Sequence, residues 1–273
     1  MAYKMIVLDL DDTLLRDDHT ISPRTKDALM KAQEQGVKVV LASGRPTFAM
    51  KQIAEELHLE KYGSFILSFN GSKIIDWQDK QEIFSSTLSA EAVHKLYDLS
   101  RREGVSIHTY VDDDIVTEDD SPYTAEESVI TGLPVKFVDS FKQAITEPVV
   151  KCLMLHEPEK LKLVEAKLQA ELSDEFSVML SKPYFLEFME KGISKGTSLN
   201  QLIQILGIER EEVIAMGDSY NDLEMIEFAG LGVAMGNAND DIKAAADYVT
   251  DTNMNDGVAK VVEEFILNEL VTA

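Results

Sequence analysis

Apolar runs alternate with amphipathic stretches along the first third of the chain. Residues 4–10 form a nearly unbroken apolar run, the texture of a strand buried on both faces of a parallel sheet. Two runs of the same kind follow at 37–42 and 64–69. Helix-like segments separate them. Ser22 is placed to cap the first helix, Pro23 fits its first turn and Gly36 ends it. The second helix spans 47–57. This β-α-β-α-β order predicts a doubly wound sheet.

The texture changes near residue 72. Short strands at 73–77 and 82–87 lead into a helix at 89–103, then strands at 105–111, 134–138, 148–156 and 176–181, with a helix at 159–172. Near residue 190 the α/β alternation returns: helix 194–206, strand 213–216, helix 220–228, strand 231–235. A last helix at 253–270 carries Val258, Val261, Val262, Phe265 and Ile266 on one face, a stripe that suits the core. The pattern predicts an α/β protein: a doubly wound, Rossmann-like parallel-sheet core over 1–83 and 188–273, and an inserted α+β domain over 84–187. No internal repeat or low-complexity segment interrupts it.

Composition narrows the partners. With 26 Lys+Arg against 49 Asp+Glu, the net charge of −23 repels nucleic acid and anionic lipid. No apolar run reaches the roughly 18 residues of a membrane span. The start of the chain runs straight into Asp9 without a signal-peptide pattern, so a cytoplasmic protein is expected. The single cysteine, Cys152, lies in an apolar run and reads as a core residue. Five His residues show no ligand spacing, and Asp112-Asp113-Asp114 reads as a solvated face or hairpin turn.

Four polar clusters follow strands or open helices, where an open α/β sheet binds its ligands. Asp9-Leu10-Asp11-Asp12-Thr13 ends the first strand, and its carboxylates would repel one another without a cation or donor. A hard divalent cation suits them, although a solvated acidic turn is nearly as good a reading of this cluster alone. Ser43-Gly44-Arg45 offers a hydroxyl and a fresh helix N-terminus, which also describes an ordinary cap. Lys195 opens a helix against its dipole, which an anionic partner would repair; alone it reads as a surface lysine. Gly217-Asp218-Ser219-Tyr220-Asn221-Asp222 puts two carboxylates and an amide at a strand end. Together these groups suit a phosphoryl group beside Mg²⁺.

The order Asp9-x-Asp11-x-Thr13, Ser43-Gly44-Arg45, Lys195-Gly196, Gly217-Asp218-x-x-Asn221-Asp222 resembles the haloacid dehalogenase superfamily. The insertion between the second and third clusters resembles its Cof-type branch, and the chain is similar to the YidA-like sugar-phosphate phosphatases within it. Phe69-Asn70-Gly71, Lys182-Pro183-Tyr184-Phe185-Leu186-Glu187 and Gly232-Val233-Ala234-Met235-Gly236-Asn237-Ala238 match as well. One departure stands out: Asp12 occupies a position where the family often has Gly, so three carboxylates compete for the role of nucleophile.

The resemblance implies a phosphatase of small phosphate monoesters, sugar phosphates first. Asp9 would attack phosphorus, and Asp11 would protonate the leaving alcohol and then activate water. Mg²⁺ would sit on the Asp9 carboxylate, the Asp11 carbonyl and the Asp218 carboxylate, with Asp222 orienting this set. Ser43, Gly44, Lys195, Asn221 and the Leu10 main-chain N–H would bind phosphoryl oxygens. Arg45 and Asn70 are expected at the leaving group, and the insertion would be a cap that sets substrate preference. Within the cap, Lys182 and Tyr184 are candidate contacts, though both also read as surface and packing residues. The expected partner is a small phosphorylated metabolite, with neither nucleic acid nor membrane, and a monomer or homodimer both suit the composition. A phosphomutase or phosphotransferase of the same superfamily is one alternative. A receiver-like phosphoacceptor switch is the non-enzyme alternative, and it would leave the insertion unexplained.

Overall fold

The structure, a computed structural model, describes residues 3–268. The chain divides into two compact units, Met1–Phe84 with Ser194–Ala273, and Ser85–Ile193. Five strands come first: β1 (Met5–Leu8), β2 (Lys38–Ala42), β3 (Phe65–Ser68), β4 (Lys73–Asp76) and β5 (Gln81–Ser85). Six belong to a second sheet: β6 (Ser106–Val111), β7 (Asp114–Thr117), β8 (Val135–Phe137), β9 (Cys152–Leu155), β10 (Phe176–Lys182) and β11 (Phe185–Glu190). The chain then returns to the first sheet with β12 (Val213–Gly217), β13 (Leu231–Ala234) and β14 (Tyr248–Val249).

The first sheet runs β14-β13-β12-β1-β2-β3-β4-β5. Pairing is parallel from β14 to β3 and antiparallel between β3 and β4. Every residue of β1 is buried, which is why its sequence is a continuous apolar run and not an alternating one. The pleat divides that run between two cores. Ile6, Leu8, Val39 and Leu41 pack in one cluster, while Met5, Val7, Val40 and Ala42 pack in another. Helix Pro23–Glu34 starts where expected, with the Ser22 hydroxyl accepting from Thr25 N–H at 3.1 Å. The parallel-sheet α/β class read from the sequence is the class found.

β1 stops at Leu8 because residues 9–14 leave the sheet in a tight turn in which Asp12 has φ +60. The expected helix 253–270 is divided as well. A short turn at Asn253–Asn255 precedes helical Gly257–Val261, and Val262–Leu267 widens into a π-turn. Residues 269 and 270 of that expectation lie outside the described residues.

The second sheet runs β10-β11-β9-β6-β7-β8, antiparallel except for β7 against β8. Its apolar face carries Ile107, Val116, Cys152, Met154, Leu186 and Phe188 beneath residues of helices Ala90–Glu103 and Pro158–Leu172. Asp112 and Asp113 form the turn of the β6–β7 hairpin, with Asp112 at φ +52. The junction after this unit falls beyond Ile193, later than the 187/188 division drawn from the sequence, because β11 runs on to Glu190. Among the described residues, no helix is long and apolar enough to cross a membrane.

Candidate active site

β1 and β12 are neighbours, and the chain leaves β1 toward β2 on one side of the sheet and β12 toward β13 on the other. A crevice opens at such a point beyond the carboxyl ends of the strands. All four polar clusters sit within the first unit at these ends. Asp9 follows β1, Ser43 follows β2, Gly217 closes β12, and Lys195 opens the helix Lys195–Leu206.

Lys195 is the centre of the arrangement. It is 0% exposed, and its Nζ donates to Asp9 Oδ1 at 2.5 Å and to Asp222 Oδ1 at 2.6 Å. Burial works against the ammonium, yet Asp222 and Asp9 outweigh it and raise the Lys195 pKa above the usual lysine range. The anionic partner required by a lysine at a helix start is therefore a pair of carboxylates. Ser194 builds that helix start through a reciprocal cap with Thr197. Gly196 allows it to approach Glu224, whose Cβ would be 2.7 Å from any Cβ placed there.

Asp222 is fully buried. Its Oδ2 accepts from the N–H groups of Asp218 and Ser219, each at 3.0 Å, which leaves Oδ1 for Lys195. Asp218 is held through both oxygens, by Thr13 Oγ1 at 2.9 Å and Ser219 Oγ at 2.8 Å. Burial, then the nearby Asp222 charge, lifts the Asp218 carboxyl to about 6. Asp9 is pushed well up by burial and Asp222, with Lys195 opposing and Asp218 adding.

Oxygens of Asp9, Asp218 and Asp222 lie within 4.8 Å of one another. Three carboxylates face one buried ammonium, a surplus of two negative charges when all are ionised. The donors are hard oxygens, so the set fits a divalent cation such as Mg²⁺. Asp222 is engaged through both its oxygens, which suits it to orienting the set.

The remaining expected residues divide into those the fold gathers around Lys195 and those it assigns elsewhere. Ser43 is buried, and its Oγ accepts from Arg45 N–H at 3.1 Å. Gly44 lies against the Asn70 side chain. Asn221 donates through Nδ2 to Asn70 Oδ1 at 3.1 Å. Leu10 is buried in the turn after Asp9. Arg45 lies on Asp11, with Nε to Oδ2 at 2.9 Å and a second nitrogen to Oδ1 at 2.5 Å. In the second unit, the Tyr184 hydroxyl donates to Glu126 and its ring stacks on Tyr123, while Lys182 is exposed.

Thr13, Ser219 and Asn237 do work that sequence reasoning left without a role. Thr13 and Ser219 hold Asp218, and Asn237 Nδ2 donates to the Asp12 carbonyl at 2.7 Å. The signal for Thr13 was its fixed spacing after Asp9 and Asp11.

A family model of haloacid dehalogenase-like hydrolases matches residues 6–262. The chain belongs to this family. A haloacid dehalogenase-like hydrolase from Bacteroides thetaiotaomicron is 46% identical in its crystal structure, with TM-score 0.88, covering 96% of this chain and 98% of that one. The 5-amino-6-(5-phospho-D-ribitylamino)uracil phosphatase YcsE of Bacillus subtilis is 33% identical, covering 97% of this chain and 96% of its own. The subclass IIB sugar phosphatase BT4131 is 26% identical with TM-score 0.80, covering 96% of this chain and 98% of that one. The resemblance read from the motifs is thus borne out, and with it the enzyme class, a phosphoric monoester hydrolase. Within the haloacid dehalogenase-like pattern, Asp12 takes the left-handed backbone that suits the family's common glycine. Its side chain is exposed, so Asp9, not Asp12, is the carboxylate that Lys195 addresses.

Proposed function

We propose that this hydrolase cleaves small phosphate monoesters, sugar phosphates first, with Mg²⁺ and through an aspartyl-phosphate on Asp9, in the cytoplasm. The observation that carries the reading is the buried Lys195 ammonium shared by Asp9 and Asp222 beside Asp218. It supports the reading because a carboxylate after β1, a buried ammonium at a helix start and hard oxygen donors after β12 meet in one cluster. The phosphatase relatives, one of them a sugar phosphatase, support the substrate class.

In the first half-reaction an Asp9 oxygen bonds to phosphorus, and the ester oxygen leaves with a proton from Asp11. In the second, Asp11 takes a proton from water as that water's oxygen bonds to phosphorus, and the Asp9–phosphorus bond breaks. Free phosphate and the original carboxylate result. Lys195, Ser43, Asn221 and the N–H groups of Leu10 and Gly44 hold the phosphoryl oxygens. Asp9, Asp218 and the Asp11 carbonyl would hold Mg²⁺, whose charge offsets that of the carboxylates and the transferring group. Arg45 occupies both Asp11 oxygens, so one must be released before Asp11 can protonate a leaving oxygen. Selection of the leaving group is assigned to the inserted unit, the cap of this reading.

The experiment is phosphate release from a panel of sugar and cofactor phosphates, with Mg²⁺ or with chelator, for wild type and Asp9→Asn. Turnover that chelator abolishes and Asp9→Asn removes is expected. Full activity in excess chelator sinks the metal assignment. Isomerised sugar phosphate without free phosphate would point to a mutase.

A further inference from the structure

The tripeptide Phe69-Asn70-Gly71 joins three loops of the site. All three residues have positive φ, at 52°, 55° and 95°. This backbone is unfavourable for a side chain with a Cβ, most of all for Phe and less so for Asn, and such strain persists only where the surroundings hold it. Phe69 N–H donates to the Arg45 carbonyl at 3.0 Å, and Asn70 N–H donates to the Ser43 carbonyl at 2.9 Å. On the other side, Ser198 Oγ donates to the Gly71 carbonyl at 2.6 Å. A Cβ on Gly71 would stand 2.6 Å from the Ser194 carbonyl oxygen. The strained turn is therefore clamped between the loop bearing Ser43 and the start of the helix bearing Lys195.

The Asn70 side chain completes the junction. It is 1% exposed. Its Oδ1 accepts from Asn221 Nδ2 at 3.1 Å, and a Cβ placed on Gly44 would lie 3.2 Å from that same oxygen. A carboxamide nitrogen carries two hydrogens. With one of them held by Asn70, the direction of the other is fixed. A side chain so buried and so engaged is suited to holding its neighbours, whereas the role expected of it from sequence was a leaving-group contact.

We infer that Asn70 is a positioning residue: it aims the Asn221 amide and seats the Ser43–Gly44 turn, so that phosphoryl-binding groups from three separate loops converge. The strained backbone serves this purpose, because it turns one side chain into the junction while its amides tie down the neighbouring loop. The inference rests on the phosphatase reading of the site and deepens it.

The test compares wild type, Asn70→Ala, Asn70→Gly, Asn221→Ala and the Asn70→Ala/Asn221→Ala pair in Mg²⁺. Two quantities are measured: affinity for inorganic phosphate by calorimetry, and kcat and KM for glucose 6-phosphate and p-nitrophenyl phosphate. Asn70→Gly frees the left-handed backbone of its strain, so it provides a folded variant even if Asn70→Ala is unstable. Misplaced binding groups cost up to about a hundredfold. Both Asn70 variants are expected to bind phosphate about tenfold more weakly and to lose about ten- to a hundredfold in kcat/KM, equally for the two esters. The pair should be no worse than its more damaging single variant. A loss confined to one ester overturns the inference in favour of a leaving-group contact. Unchanged phosphate affinity, or losses that multiply in the pair, overturns it in favour of a merely structural role. A wild type that neither binds phosphate nor turns over any ester overturns the phosphatase reading and this inference together. That outcome differs from failure of the inference alone, in which wild type is active.

Discussion

Asp12 shows how a single backbone angle separates three adjacent carboxylates. At φ +60 its side chain is exposed and its carbonyl is held by Asn237, whereas Asp9 is buried against Lys195 and Asp11 is paired with Arg45. A glycine would adopt the same backbone without a Cβ penalty. Asp12→Gly is therefore expected to raise stability by up to about 1 kcal/mol, read from urea unfolding, and to leave turnover within about threefold of wild type. Loss of turnover as complete as that in Asp9→Asn would mean that the wrong carboxylate has been named. Lys195 is the opposite case. Asp9 and Asp222 both depend on it, and removing one partner of a buried charge pair typically costs about 3–5 kcal/mol. Lys195→Met should fall in that range by urea unfolding, with part of the loss recovered on adding Mg²⁺.

At the scale of elements, the site is made by strands that end early and turns that close tightly. Gly217 is the last residue of β12, and a Cβ there would fall 2.4 Å from the Asp222 Cβ. Any side chain must push Asp222 off Lys195 and off the N–H groups of Asp218 and Ser219. Gly217→Ala is expected to lower kcat/KM at least about a hundredfold and also to lower the melting temperature. A variant with wild-type kinetics would show that the turn can open without consequence. The parallel strands β1, β2, β3, β12 and β13 were legible because they are buried on both faces and leave bare apolar runs. Helix Pro122–Thr131 was not, because the residues it buries are Thr124, Glu127 and Thr131, and hydrophobic periodicity carries no trace of a polar buried face. β11 was hidden for a related reason: Glu187 sits in its middle, buried against Lys151 at 2.9 Å. β14, of two residues, is too short to leave a pattern. The cluster residues were legible by type and order, but their pairings were not. Nothing local in the chain says that Arg45 will take Asp11, 34 residues away, or that Asn70 will meet Asn221, 151 residues away.

The whole molecule carries a charge of −23 yet is proposed to act on an anion, so its attraction for substrate has to be local and desolvated, as the buried Lys195 is. The inserted unit also buries ionisable groups, and there the consequence is for stability against acid. His108 is fully buried on β6, its Nδ1 3.3 Å from Thr124 Oγ1, its Nε2 without a hydrogen-bond partner and its ring edge-on to Tyr110. Around it lie the ion pair of Lys151 with Glu187 and the hydrogen bond from Tyr110 to Glu127. Burial first, and then the Lys151 charge, depress the His108 pKa to about 3. The folded unit thus keeps this imidazole neutral where the unfolded chain, with a pKa near 6.5, binds a proton. The associated stability is complete above about pH 6.5 and is lost as pH falls toward 3, by about 1.4 kcal/mol per pH unit. Between pH 7.5 and 5.0 this one group should cost about 2 kcal/mol. Urea unfolding of wild type and His108→Gln at both pH values isolates it, because every other titrating group is common to the two proteins. The acid-induced loss should be about 2 kcal/mol smaller in the variant. Equal losses would mean that the imidazole is protonated inside the fold, with Glu127 or Glu187 taking up the charge and the network rearranging around it.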